Sequence, residues 1–71
     1  MKEKLTDRDV EVVLAFAENN MNASKTSRLL FFHRNTVDYH LCKVKRNTGL
    51  NPYNFYDLMK LILALKDGDS Q

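Results

Sequence analysis

SKTSRLLFFHRNTVDYHLCKVKR, residues 24–46, sets a short helical segment and a longer one about four residues apart. In the longer segment Val37, Leu41 and Val44 recur at i, i+4 and i+7, the apolar face of a helix. On a wheel turning about 100° per residue, His40 flanks that face, with Asp38 and Lys43 at its margins. Asn35, Tyr39, Cys42 and Arg46 gather on the opposite side. Phe32 and Val37 have the spacing of a hydrophobic staple, with His33 between them at the cap position. These signals predict a helix over 34–47 that stops near Gly49. Ser24 is the expected cap of the shorter helix, over 25–30. Short helix, tight turn and amphipathic second helix together make a helix-turn-helix, an arrangement that lays its later helix in the DNA major groove.

The flanking sequence is helical too. Thr6 and Asp9 have the spacing of a capping box, and Leu5 and Val10 that of a staple across it. Val10, Val13, Leu14 and Ala17 then mark one face of a helix over 7–18. Asn19, Asn20 and Asn22 crowd its exit, and asparagine tolerates the left-handed conformations that end helices. Asn51-Pro52 makes a turn, Asn54 caps, and a last helix is expected over 55–66, with a frayed tail over 68–71. No run alternates with period two. The expectation is one all-α domain over 1–71, four helices containing a helix-turn-helix and no sheet.

At 71 residues the chain is near the lower size at which a hydrophobic core suffices for folding. Its 44% hydrophobic and 28% charged content argues against disorder. The longest apolar run, 61–65, has five residues against the roughly 20 of a membrane span. MKEKLTDRD at the start lacks the apolar stretch of a signal peptide. Cys42, alone, has no internal disulfide partner, which fits a reducing cytoplasm.

The net charge of +2 is unevenly spread. Between Ser24 and Arg46 six basic residues face Asp38 alone, a local +5, while the rest of the chain holds five basic and eight acidic residues, or −3. The basic half therefore coincides with the helix-turn-helix, as a polyanion-binding surface requires. Arg34, Asn35, Asp38 and Tyr39 are the candidate base readers: a guanidinium suits guanine, an amide adenine, a carboxylate cytosine. Ser24, Lys25, Thr26, His33, Thr36, Lys43 and Arg46 are the candidate phosphate contacts.

Other chemistries find little support. His33 and His40 lie seven residues apart, about 10 Å along a helix, and Cys42 points elsewhere, so no metal site is expected. There is no glycine-rich phosphate loop and no spaced carboxylate pair, so neither enzyme activity nor a cofactor or small-molecule substrate is expected. The competing expectation is a small helical protein–protein interaction module that does not touch DNA.

The stretch NNMNASKTSRLLFFHRNTVDYHLCKVKRNTGLNPYNFYDLMKLILAL resembles the C-terminal helix-turn-helix domain of PucR-type regulators, which control purine and sugar-diacid catabolism. The likeness rests on the Asn-x-Ser start, HRNTV-x-Y, TGL and the leucine-rich last helix, and covers roughly residues 10–65. The chain is more distantly similar to the DNA-binding end of Fis-type proteins. The resemblance implies sequence-specific double-stranded DNA binding as a dimer in the bacterial cytoplasm, at the nucleoid. Arg34, Asn35, Thr36 and Tyr39 match the family's recognition helix. Asp38 and His40 depart from it, standing where the family often has arginine, so a different base preference is expected. The effector-sensing regions that precede this domain in such regulators have no counterpart in the 71 residues.

A homodimer is also expected from the wheels. Phe55, Leu58, Met59, Ile62 and Leu65 form a stripe able to cover the second and third helices, while Tyr56, Leu61 and Leu63 widen the arc beyond one packed face. Val12 and Phe16 do the same on the first helix. These five residues are the expected interface, since exposed apolar surface on that scale marks a partner.

Overall fold

The structure, a computed structural model, describes residues 5–69, and of residues 66–69 the backbone alone. Four helices follow one another: α1 (Asp7–Glu18), α2 (Ala23–Leu29), α3 (Arg34–Thr48) and α4 (Phe55–Asp69). Among the described residues there is no strand, and the fold is all-α. The last helix runs three residues past its expected end, and residues 70 and 71 of the expected tail lie outside the described part.

Helix α1 begins on the capping box. Thr6 Oγ1 accepts from the Asp9 N–H at 3.1 Å, and Asp9 Oδ2 accepts from the Thr6 N–H at 3.0 Å. The face it buries is Asp9, Val12, Val13 and Phe16, one residue out of phase with the expected set. Val10, Leu14 and Ala17 are only half-buried. The physical reason is that α1 is the central helix, packed against all three others, and the first member of its inward stripe is a carboxylate.

The exit from α1 is left-handed at two successive residues, Asn20 (φ 58°) and Met21 (φ 61°), and the Met21 N–H closes back onto the Phe16 carbonyl at 2.8 Å. This brings Asn22 to the start of α2, where its Oδ1 accepts from the Lys25 N–H at 2.9 Å. Asn22, not Ser24, is therefore the cap, and α2 starts two residues earlier than expected; Ser24 sits inside the first turn. Helix α3 starts at Arg34 as expected, with His33 at the cap position making no side-chain capping bond. It ends at Gly49, whose φ of 78° is left-handed and whose N–H reaches the Lys45 carbonyl at 2.8 Å. The following turn holds buried Pro52, and Asn54 Oδ1 caps α4 through the Asp57 N–H at 3.1 Å.

Val12, Val13, Phe16, Ala23, Val37, Leu41, Val44, Leu58 and Leu61 make one core. Fully burying each of its larger aliphatic or aromatic members contributes roughly 1.5–3 kcal/mol. Three of the expected interface residues belong to it: Val12 and Phe16 from α1 and Leu61 from α4. That part of the dimer expectation is corrected, because α1, with neighbours on several sides, buries an arc wider than one packed face, and α4 rests on α1 through the side that carries Leu61. Helix α4 packs on α1 rather than across α2 and α3, and it turns Leu58 and Leu61 inward. Phe55, Tyr56, Met59 and Leu63 stay largely exposed.

Candidate nucleic-acid interface

Helix α3 is held from beneath. Val37, Leu41 and Val44 are fully buried against α1 and α2. With that face fixed, helical geometry turns Arg34, Asn35, Tyr39, Cys42, Lys45 and Arg46 to solvent, and all six are exposed. The turn before α3 exposes His33, and α2 adds exposed Ser24, Lys25 and Arg28, while Thr36 is half-buried. Arg28 and Lys45 were not singled out from sequence, although both contribute to the +5 segment.

Three of the candidate contacts face other tasks. Thr26 is fully buried and its hydroxyl donates to the Asn22 carbonyl at 2.8 Å, so it cannot meet a phosphate. Lys43 folds inward, its Nζ 3.2 Å from Asp9 Oδ2. Asp38 is half-buried and accepts the hydroxyl hydrogen of Tyr53, whose ring also packs edge-on against Phe16 with centroids 5.5 Å apart. Burial first, and then the Asp38 carboxylate, push the Tyr53 phenol above its ordinary range, so it stays protonated as the donor. The correction follows from the wheel itself: Asp38 and Lys43 stand at its margins, where the neighbouring turn and α1 reach them.

The strongest polar cluster is one that sequence reasoning missed. Asp9, fully buried, receives His40 Nδ1 at 2.6 Å on one oxygen, and Lys43 Nζ and the Thr6 N–H on the other. A ring nitrogen that close to a carboxylate carries the hydrogen, which fixes His40 as an Nδ1–H donor. Burial alone would raise the Asp9 pKa, but the bonds from His40, Thr6 and Lys43 outweigh it and hold the group at about 2, against an ordinary 3.8. Phe32 stacks on His40 with centroids 6.2 Å apart, and the Arg8 guanidinium lies 5.1 Å over the Phe32 ring. The cluster clamps the start of α1 to the middle of α3 and so sets the roll of the exposed face. Among the described residues, no three of His, Cys, Asp and Glu converge as metal ligands would, and no helix is long and apolar enough to cross a membrane.

A solvent-facing, cation-rimmed helix whose apolar face is buried on α1 and α2 defines a helix-turn-helix domain. The family model described as the PucR C-terminal helix-turn-helix domain matches residues 9–66, and the chain belongs to that family. It is similar to the carbohydrate diacid regulator of Escherichia coli (strain K12), with 40% identity over 52 residues. That match covers 73% of this chain but only 14% of the relative. No solved structure matches it significantly. The family is one of helix-turn-helix domains from transcriptional regulators.

Proposed function

We propose that the protein binds double-stranded DNA sequence-specifically by laying α3 in the major groove. The observation that carries the reading is the division of α3 between the fully buried Val37, Leu41 and Val44 and the exposed Arg34, Asn35, Tyr39, Lys45 and Arg46. Arg34 and Asn35 occupy the first turn, the part of a recognition helix that enters the groove. Arg34 and Asn35 offer guanine and adenine bidentate pairs, and Tyr39, 57% exposed, stands one turn on from Asn35. Ser24, Lys25, Arg28, His33, Thr36, Lys45 and Arg46 hold phosphates on either side, and Thr26, Lys43 and Asp38 leave the contact set for the reasons given above. The likeness to the carbohydrate diacid regulator supports reading the domain as the DNA-binding end of a transcriptional regulator, working in the bacterial cytoplasm at the nucleoid.

The working form is a homodimer, whose joint is the outward face of α4, with Tyr56 and Leu63 at its centre and Phe55 and Met59 beside them. All four are large and exposed, which supports this placement. A two-fold pair suits half-sites one helical turn, about 34 Å, apart.

Selection of bound duplexes from a random pool tests the reading. An enriched motif whose positions respond to Arg34→Ala and Asn35→Ala supports it. A pool that stays random through repeated rounds favours an interaction module instead.

A further inference from the structure

Phe31 occupies the one position of the helix-turn-helix where its backbone and its side chain are both out of place. Its φ is 59°, in the left-handed region, and 94% of the residue is exposed. It is the residue just past the C-cap of α2, and the loop is closed around it by the Phe31 N–H on the Arg28 carbonyl at 3.3 Å and the Phe32 N–H on the Ser27 carbonyl at 2.8 Å. That closure normally takes glycine, sometimes asparagine, because a β-carbon is crowded there. A bulky aromatic in this region is an outlier that points to function when nothing in the fold rewards it. Here nothing does. Leu30 and Phe32, on either side, pack against the core, while the Phe31 ring stands in solvent.

We propose that Phe31 is a DNA contact, an apolar finger set against the groove wall beside α3. The inference rests on the major-groove reading. Phe31 precedes Arg34 by three residues, so their Cα atoms are at most about 11 Å apart. With Arg34 and Asn35 inside a groove about 12 Å wide, the ring meets the wall of that groove. The exposed groups around it in sequence are apolar Leu29 and polar Arg28, His33, Arg34 and Asn35, and the four polar ones carry cations and hydrogen-bond donors suited to a phosphodiester strand, which favours DNA over an apolar protein surface. The apolar chemistry on that wall is the thymine C5-methyl group and the C–H face of deoxyribose. Phenylalanine packs on the thymine methyl, and the pair adds preference for thymine at the edge of the half-site.

The test pairs two readouts, melting temperature and affinity for a selected duplex, on the whole chain and on Phe31→Gly and Phe31→Asn. Both variants relieve the backbone and remove the ring. Each is expected to melt higher than the parent while binding roughly tenfold more weakly. Thymines at the edge of the site are then replaced by deoxyuridine, which removes only the methyl group. Parent binding that weakens on the deoxyuridine duplex, with the variants indifferent to it, assigns the contact to the methyl. Parent binding that does not weaken, with the variants still weaker on both duplexes, assigns it to the sugar. Variants that melt higher and bind both duplexes like the parent would overturn the role of Phe31 and leave the groove reading standing. A parent that binds no duplex would remove both.

Discussion

Asp9 does two jobs with one carboxylate, closing the first turn of α1 and gripping His40 and Lys43 on α3. Only the first was legible in sequence, because capping is local and its spacing is fixed, whereas His40 lies 31 residues away. The carboxylate also hid the inward stripe at 9, 12, 13 and 16, which a count of apolar residues shifts by one. Its titration gives a signed prediction. A group held at about 2 when folded and near 3.8 when unfolded stabilises the fold above pH 4. That stability, roughly 2 kcal/mol, is lost as the pH falls from about 4 to 2. Urea titrations across that window should show the loss in the parent and a flatter profile in Asp9→Asn, which starts out less stable. Lys43→Ala is expected to lower the melting temperature, because it leaves a buried carboxylate under-paired, while the salt slope of DNA binding stays the parent's. A slope reduced by about one would return Lys43 to the phosphate contacts.

The helices themselves were largely legible, and their ends explain where the reading slipped. Periodicity and caps place α1, α3 and the start of α4 within a residue, since Thr6, Gly49 and Asn54 each act through a local hydrogen bond or φ value. At α2 the sequence points to Ser24 as the cap and assigns Asn22 to the exit of α1, and it is the left-handed Asn20-Met21 pair that brings Asn22 to the cap position instead. Nothing in the side chain of Met21 announces that conformation. Asn22→Ala is accordingly expected to destabilise the domain by about 1 kcal/mol and Ser24→Ala by much less, as measured by urea unfolding. Equal effects would contradict the assigned cap. At Gly49 a β-carbon would meet no atom within 4 Å, so the cost of Gly49→Ala comes from its φ of 78° alone. It should amount to about 1 kcal/mol, with Gly49→Asn milder.

At the scale of the molecule, a wheel reports how apolar each helix is but not how many neighbours it has. Central α1 encloses Val12 and Phe16, while α4, packed on α1, leaves Tyr56 and Leu63 outside. Light scattering at tens of micromolar should therefore find a dimer that Tyr56→Glu or Leu63→Glu converts to monomer without unfolding it. A parent that stays monomeric even on a duplex with two half-sites would dismiss that joint. That Arg34, Asn35 and Tyr39 face solvent could be told from sequence because one buried stripe fixes the opposite face; the inward ties of Asp38 and Lys43 could not, because the turn and α1 reach over its edges. The most direct measurement of the central claim is a titration of the selected duplex and a scrambled one with the parent and Asn35→Ala, repeated over a range of salt. The account predicts parent affinity that falls by about 0.9 log unit per log unit of salt for each phosphate held. It also predicts a loss of roughly 1–3 kcal/mol in Asn35→Ala on the selected duplex, with binding to the scrambled one unchanged. Equal binding of both duplexes by both proteins, while Asn35→Ala stays folded, would contradict the placement of α3 in the major groove.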